Sequence, residues 1–402
     1  QTAVWFDFDG DGWLDLFIGN EGWETERHPC ELFRNNGDGT FTEMAAAAGL
    51  AVNEFIKGVA TGDFNNDGRP DLYLSNRSGP NRLFRNDGPG PGGRWRFTDV
   101  TAQAGVAEPR HSFPTWFFDY DNDGHEDLLV TGYAIRHVGD VAADHLGLPH
   151  PAERARLYRN RGDGTFEDVS RAAGLDRVIH AMGANYGDLD GDGWLDAYFA
   201  TGDPDLTTLI PNRMFRNDGG RYFQDVTTAG GFGHLQKGHG VAFGDFDNDG
   251  DQDVYVVMGG AYSGDVYRNA LFLNPGHGHR WLTLKLEGVK SNRAAIGARL
   301  RVVVTQADGT ERSFHRTVSS GGSFGASTLR QEIGLGDAKA IRRVEVFWPA
   351  TGIRQTLEGI EMDRFYRVRE GEPGARPWKL EPISLAAQPV AAGGPAIAGR
   401  RP

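Results

Sequence analysis

Residues 7–15 read DFDGDGWLD, with carboxylates at positions 1, 3, 5 and 9 (Asp7, Asp9, Asp11 and Asp15) and Gly12 at position 6. The pattern returns as DFNNDGRPD from Asp63, DYDNDGHED from Asp119, DLDGDGWLD from Asp188 and DFDNDGDQD from Asp245. The start-to-start spacings are 56, 56, 69 and 57 residues. A single acidic run is ordinary solvated loop, but five at near-even spacing are a structural repeat.

More than the acidic loop repeats. A short apolar stretch precedes each copy (TAVWF, GVATG, TWFF, GANYG, GVAFG). A run of strand character follows (LDLFIGN, DLYLSN, DLLVTGY, DAYFATG, DVYVVMG). Then come ELFRNNGDGTFTE, RLFRNDG, RLYRNRGDGTFEDVS, RMFRNDGGRYFQDVT and, in altered form, NALFLNPGHGHRWLTLKL. Each unit offers four short β runs between Gly/Asn/Asp turns, with no segment long enough for a regular helix. Four strands in about 56 residues, repeated, is the pattern of a β-propeller blade. HRWLTLKLEG at 279–288 is expected to be the last strand of the fifth unit.

The chemistry of the loop is that of a hard cation. Ca²⁺ takes about 6–8 oxygen ligands, and Gly at position 6 permits the reversal that wraps them round one ion. The expected ligands are Asp7, Asp9, Asp11, Trp13 and Asp15; Asp63, Asn65, Asp67, Arg69 and Asp71; Asp119, Asp121, Asp123, His125 and Asp127; Asp188, Asp190, Asp192, Trp194 and Asp196; and Asp245, Asp247, Asp249, Asp251 and Asp253. Position 7 contributes only its carbonyl, which fits its chemical variety. An EF-hand is excluded, because position 12 carries Ile18, Leu74, Val130, Phe199 and Val256 instead of Glu, and the flanks read as strands. Mg²⁺ prefers water-rich octahedral sites, and Zn²⁺ would want Cys or His. About five Ca²⁺ are therefore expected.

Composition agrees. Gly, at 57 of 402 residues, is about twice its usual ~7%. The net charge of −13 argues against a nucleic-acid partner, and five divalent ions would offset most of it. No apolar run approaches the ~18 residues that suggest a transmembrane helix. Cys30 is the one cysteine, so the chain cannot form an internal disulfide and metal ions become the expected staples. The chain begins at Gln1, which is compatible with a processed secreted protein or a fragment.

GVAFGDFDNDGDQDVYVV and its sisters resemble the FG-GAP/VCBS repeats of integrin-type propellers and their bacterial relatives. The segment from RWLTLKLEGVKSNRAAIGARLRVVV through VEVFWPATGIRQTLEGI resembles the ASPIC/UnbV module. Together they are similar to the cartilage acidic protein-like family. The resemblance implies an all-β fold: a calcium-binding propeller over 1–280, a small β-sandwich-like domain over 281–370 and a Pro/Ala/Gly-rich tail over 371–402. It also implies an extracellular or cell-surface location and says little about activity.

If the acidic loop joins strands one and two of each blade, the variable loops share the opposite face, where a binding surface is expected. Lys57, His111, His180, Lys237 and His239, with Phe55, are expected round that mouth of the central channel, suited to an anionic or sugar-like ligand. The expected partner is a protein or carbohydrate, or further copies of this chain through the tail. An enzyme using His111, His180 and His239 is the alternative, as is a structural subunit of an extracellular polymer. No nucleophile–base pair or catalytic metal triad is readable. His137, His145 and His150 fit no standard metal spacing. Arg161-Gly162-Asp163 sits at a hairpin turn equivalent to NGD at 36–38, and Ser320–Ser323 is not a nucleophile elbow.

Overall fold

The computed structural model describes residues 2–23, 25–260 and 267–385. It is all-β and β-propeller-like, with seven four-stranded sheets among the described residues. Four are antiparallel blades whose strands follow chain order: Thr2–Phe6 to Phe41–Glu43, Ile56–Gly62 to Trp95–Asp99, Ser112–Phe118 to Phe166–Asp168 and Ala181–Gly187 to Tyr222–Asp225. The first strands pack on one another in series and so form the inner wall.

Second strands are buried on both faces because each blade is sandwiched between neighbours. Asp71–Asn76, Asp127–Gly132 and Asp196–Thr201 are buried throughout. Strand alternation then assigns side chains to successive inter-blade cores. Leu72 and Leu74 join Phe6, Phe17 and Leu32 of the first blade, whereas Tyr73 joins Leu128 and Val130 of the third. Leu129 and Phe199 meet between blades three and four, and Tyr198 and Val254 between four and five.

The fifth blade differs from expectation. It holds Gly238–Gly244, Asp253–Met258 and Ala270–Phe272, and its fourth strand is Gly325–Ser327, added in parallel to the inner edge. HRWLTLKLEG does not complete it. Arg280–Glu287 pairs instead with Arg330–Gly336 and Phe365–Arg369. The physical reason is burial: Leu282, Leu284 and Leu286 belong to one core with Val302, Phe314, Val344 and Trp348 of the other C-terminal sheet. That sheet is Glu311–Thr317, Arg299–Thr305, Ala340–Trp348 and Ile353–Leu357. Two sheets thus share one core from residue 280 onward.

A regular helix is also present, contrary to the sequence reading. Val138–His145 forms within the long third-blade insertion, its first turn closed by His137 Nδ1 accepting from the Gly139 N–H.

The Asp loops, the module that covers them and the opposite face

Each Asp loop joins strands one and two of its blade. Its backbone is organised by its own carboxylates. The position-1 Asp accepts from the position-6 N–H (Asp7 from Gly12, 3.0 Å; Asp63 from Gly68 and Asp119 from Gly124, 2.8 Å; Asp188 from Gly193, 3.0 Å; Asp245 from Gly250, 3.3 Å). The position-5 Asp accepts from the position-7 N–H of Trp13, Arg69, His125, Trp194 and Asp251 at 2.9–3.0 Å. The position-9 Asp is buried and accepts from the position-2 N–H and from an Asn N–H on strand three, as Asp15 does from Phe8 and Asn35.

These turns require two left-handed residues. Position 6 has φ between 87° and 101°, and position 4 between 52° and 69°. Position 4 is therefore Gly10, Asn66, Asn122, Gly191 or Asn248, residue types that tolerate positive φ. The alternation of Gly and Asn before DG was the available signal.

Sequence reasoning also missed the strand-three Asn and Arg of the LFRN-type motif. The Asn Nδ2 reaches the position-2 carbonyl of the preceding blade: Asn86 to Phe8 (2.9 Å), Asn160 to Phe64 (2.7 Å), Asn217 to Tyr120 (2.8 Å) and Asn274 to Leu189 (2.6 Å). The Arg turns towards the position-3 carboxylate: Arg34 to Asp9 (2.5 Å), Arg159 to Asp121 (2.7 Å) and Arg216 to Asp190 (2.9 Å).

Four Asp groups gather ligand atoms within 4.8 Å of one another: Asp7, Asp9 and Asp15; Asp119, Asp121 and Asp127; Asp188, Asp190 and Asp196; and Asp245, Asp247 and Asp249. Burial pushes the carboxyls up, Asp7, Asp188 and Asp245 to about 7 and Asp15 and Asp119 to about 8. Neighbouring loop carboxylates push the same way. In each of these four loops a buried carboxylate oxygen lacks a hydrogen-bond partner among the described residues: Asp7 Oδ1, Asp121 Oδ1, Asp188 and Asp190 Oδ1, and Asp247 Oδ1. Uncompensated buried oxygens are costly, and a hard cation among them satisfies the deficit. These four donor sets fit a bound metal. The second loop, with Asn65, is not among them.

The C-terminal sandwich lies directly on this face. A Cβ on Gly12 would come 2.1 Å from Lys290 O, one on Gly193 1.9 Å from the Phe314 ring, and one on Gly250 2.1 Å from Trp281. Position-4 side chains reach it too: Asn122 Oδ1 accepts from the His315 N–H at 3.0 Å, and Asn248 Oδ1 from Arg330 at 2.9 Å. Arg316 is buried, 3.7 Å from Asp188. From this module the segment 318–328 enters the channel. The Ser323 N–H donates to Thr115 O (3.3 Å), the Phe324 carbonyl accepts from Val241 (3.1 Å), and the Ala326 carbonyl accepts from Asn185 (2.8 Å). The Ser-Gly-Gly-Ser run is thus the tip of a channel-filling loop.

At the far mouth Phe324 stacks edge-on against Phe113 at 5.0 Å. Lys57 lies over Phe55 and Phe113 and pairs with Glu21 at 2.7 Å. Arg77 lies over Phe55 and Tyr133. His111 Nδ1 is 2.7 Å from Arg77 O, and His239 Nε2 is 2.7 Å from Gly259 O. His180 Nε2 is 3.0 Å from Asp203 Oδ2, but its ring is buried beneath Tyr133 at 4.4 Å. Lys237 is buried near Pro204 O. Three of these five residues, Lys57, His111 and His239, are therefore partly or fully accessible.

The remaining sequence candidates have local roles. Among the described residues no metal-ready group contains His. His150 is held by Asp144 at 3.2 Å while His137 caps a helix. Asp163 folds onto Thr165 at the hairpin turn, and Cys30 is buried. The tail runs back along its own chain: Trp378 lies under Lys285 and Arg367, and the Ile383 N–H donates to Asp247 O at 2.6 Å. Assembly through the tail was expected of residues 371–402, and 386–402 of that span lie outside the described residues.

Residues 7–74, 63–130, 139–199 and 200–256 match the FG-GAP-like repeat family. The chain belongs to that family. Residues 288–375 match ASPIC and UnbV. Cartilage acidic protein 1 of Homo sapiens is 30% identical over 213 residues, covering 51% of this chain and 29% of that protein. The Mus musculus protein is 30% identical over 212 residues, again 51% and 29%, so the match spans under a third of either relative. Among solved structures, a RAG complex covers 78% of this chain and 94% of its own at TM-score 0.36 and 10% identity, too distant to carry an argument. No helix among the described residues is long and apolar enough to cross a membrane.

Proposed function

We propose that this chain is an extracellular or cell-surface calcium-binding propeller in which the ions are structural and the face opposite them recognises a protein or carbohydrate partner. Adhesion or extracellular assembly is the setting that the relationship to cartilage acidic protein 1 favours. The organisation proposed is a propeller over 1–280, a module over 281–370 and a tail over 371–402. The ligands are the Asp side chains and position-7 carbonyls of the first, third, fourth and fifth Asp loops.

The observation that carries the calcium reading is the set of partnerless buried carboxylate oxygens in four loops. All donors there are hard oxygens, with no His or Cys in the clusters. Ion binding to the folded state alone stabilises it by about 2.7 kcal/mol per site at a hundredfold excess over Kd. Several sites together should therefore dominate stability. Calcium removal by EDTA is expected to lower Tm by more than about 10 °C, with recovery on adding CaCl₂ but not MgCl₂. An unchanged Tm would sink the reading.

For the recognition face, the open groups are Lys57, His111 and His239 beside exposed Phe324 and Trp23. Glycan-array and matrix-protein binding by the calcium-loaded chain, compared with Lys57→Ala, tests that assignment. Binding unaffected by changes at this mouth would move the surface elsewhere.

A further inference from the structure

The second Asp loop departs from the other four in a way that bears on what neutralises it. Its position 3 is Asn65, and Asn65 Nδ2 donates to Asp67 Oδ2 at 2.9 Å. Arg69 also pairs with Asp67 Oδ2. Asp63 Oδ1 accepts from the Asp67 N–H (2.9 Å), and Oδ2 from the Gly68 N–H (2.8 Å). Asp71 accepts from Phe64 at 3.2 Å and from Asn86 at 2.8 Å. Every carboxylate oxygen of this loop is thus occupied, whereas each of the other four loops leaves at least one buried oxygen without a partner.

A cation is nonetheless present, supplied by the C-terminal module. Arg299, at the start of Arg299–Thr305, places Nη2 3.1 Å from Asp63 Oδ2 and donates from Nη1 to Asn66 Oδ1. Phe347 covers the guanidinium at 5.0 Å. Strand-three Arg85, whose counterparts in blades one, three and four point at the position-3 Asp, here turns to Asp87 at 2.7 Å. That turn is expected once position 3 has lost its charge. Loop four shows that proximity of a module arginine is not sufficient. Arg316 lies 3.7 Å from Asp188 Oδ2, yet Asp188 and Asp190 keep partnerless oxygens.

We infer that the second loop takes no calcium and that Arg299 of the C-terminal module is its resident cation. The chain then holds four ions instead of five. Its module is joined to the propeller at blade two by a protein-borne charge that chelators cannot remove. A guanidinium suits the place, since it stays protonated and offers several donors in one plane. This inference rests on the calcium reading for the other loops.

A crystal structure of the whole chain grown in calcium tests it. Ions in loops one, three, four and five, with Arg299 still beside Asp63, are expected. An ion ligated by Asp63 and Asp67 overturns the inference and leaves the calcium reading standing, whereas no ion in any loop overturns the calcium reading itself. In solution, equilibrium dialysis followed by elemental analysis should count four Ca²⁺ per chain, and five would overturn the inference. The pair Asn65→Asp with Arg299→Gln should raise the count to five. A folded double variant that stays at four would show that these two residues are not the cause. Should the double variant fail to fold, the wild-type count still decides.

Discussion

At one end of the propeller five loops share a nine-residue pattern and lie against the C-terminal module; at the other, the loops share no pattern and end in solvent. The patterned end packs on the module: Gly12, Gly193 and Gly250 approach Lys290, Phe314 and Trp281 so closely that no side chain fits between. The unpatterned end carries the loop at 133–155 with its helix and the cationic and aromatic groups round Phe324. Repetition therefore marks the surface that holds the protein together, and irregularity marks the surface left free to bind.

Glycine substitution at the two ends breaks or sharpens that contrast most strongly. Gly193→Ala forces a Cβ into the Phe314 ring at φ +89° and should cost about 4 kcal/mol. Gly147→Ala, at φ +69° with open space around it, should cost only about 1 kcal/mol. Urea denaturation in calcium measures both. Similar losses would mean that the module does not pack on the loops as described. Next in size is Asn217→Ala, which removes donors to Tyr120 O and Leu195 O from a buried site and should cost about 3 kcal/mol. An equal change at exposed Asn36, bonded to Thr40 in its own turn and to Thr42, should cost well under 1 kcal/mol.

The repeat and its blades were legible because a propeller writes the same local solution many times: apolar strand, acidic turn, apolar strand. Turn chemistry is short-range, so Asp7–Gly12 and its copies announce themselves. The covering of that face was not legible, since Lys290 O, Phe314 and Trp281 meet the loops through shape and backbone, without a repeated signature. The fourth strand of blade five failed for a related reason. Trp281-Leu282-Thr283-Leu284 has strong strand character, but its leucines are consumed by the sandwich core. The strand that does join the blade, Gly325-Ala326-Ser327, has almost no β propensity and is held by backbone pairing to Val241–Phe243. The strand-three Asn was visible in every copy of the motif, yet its reach to the preceding blade is long-range and needs the structure.

Within the module, Glu370 supplies a test by pH. Burial opposes its ionisation, but the N–H groups of Val289, Lys290 and Ser291 and the hydroxyls of Thr351 and Ser291 hold its carboxyl down to about 2, below the unfolded value of 4.5. A depressed folded value means that the ionised form stabilises the native state. That contribution is complete above the unfolded value and disappears as pH falls towards 2. Glu370→Gln should therefore cost about 2 kcal/mol at neutral pH. The gap between variant and wild type should close between about pH 5 and pH 2. A gap independent of pH would assign Glu370 a packing role only.

The smallest effect belongs at the free end. Lys57 pairs with Glu21, both partly accessible, and rests on the buried rings of Phe55 and Phe113, so Lys57→Ala should lower stability by only about 0.5 kcal/mol. Salt should weaken what remains of the Lys57–Glu21 pair, since exposed charges are screened. The informative comparison is with binding. If this mouth recognises a partner, Lys57→Ala should reduce affinity several-fold while Tm moves by about 1 °C or less. A loss of stability comparable to that of Asn217→Ala would instead place Lys57 among the groups that hold the blades together, and the division of labour between the two ends would fail at this residue.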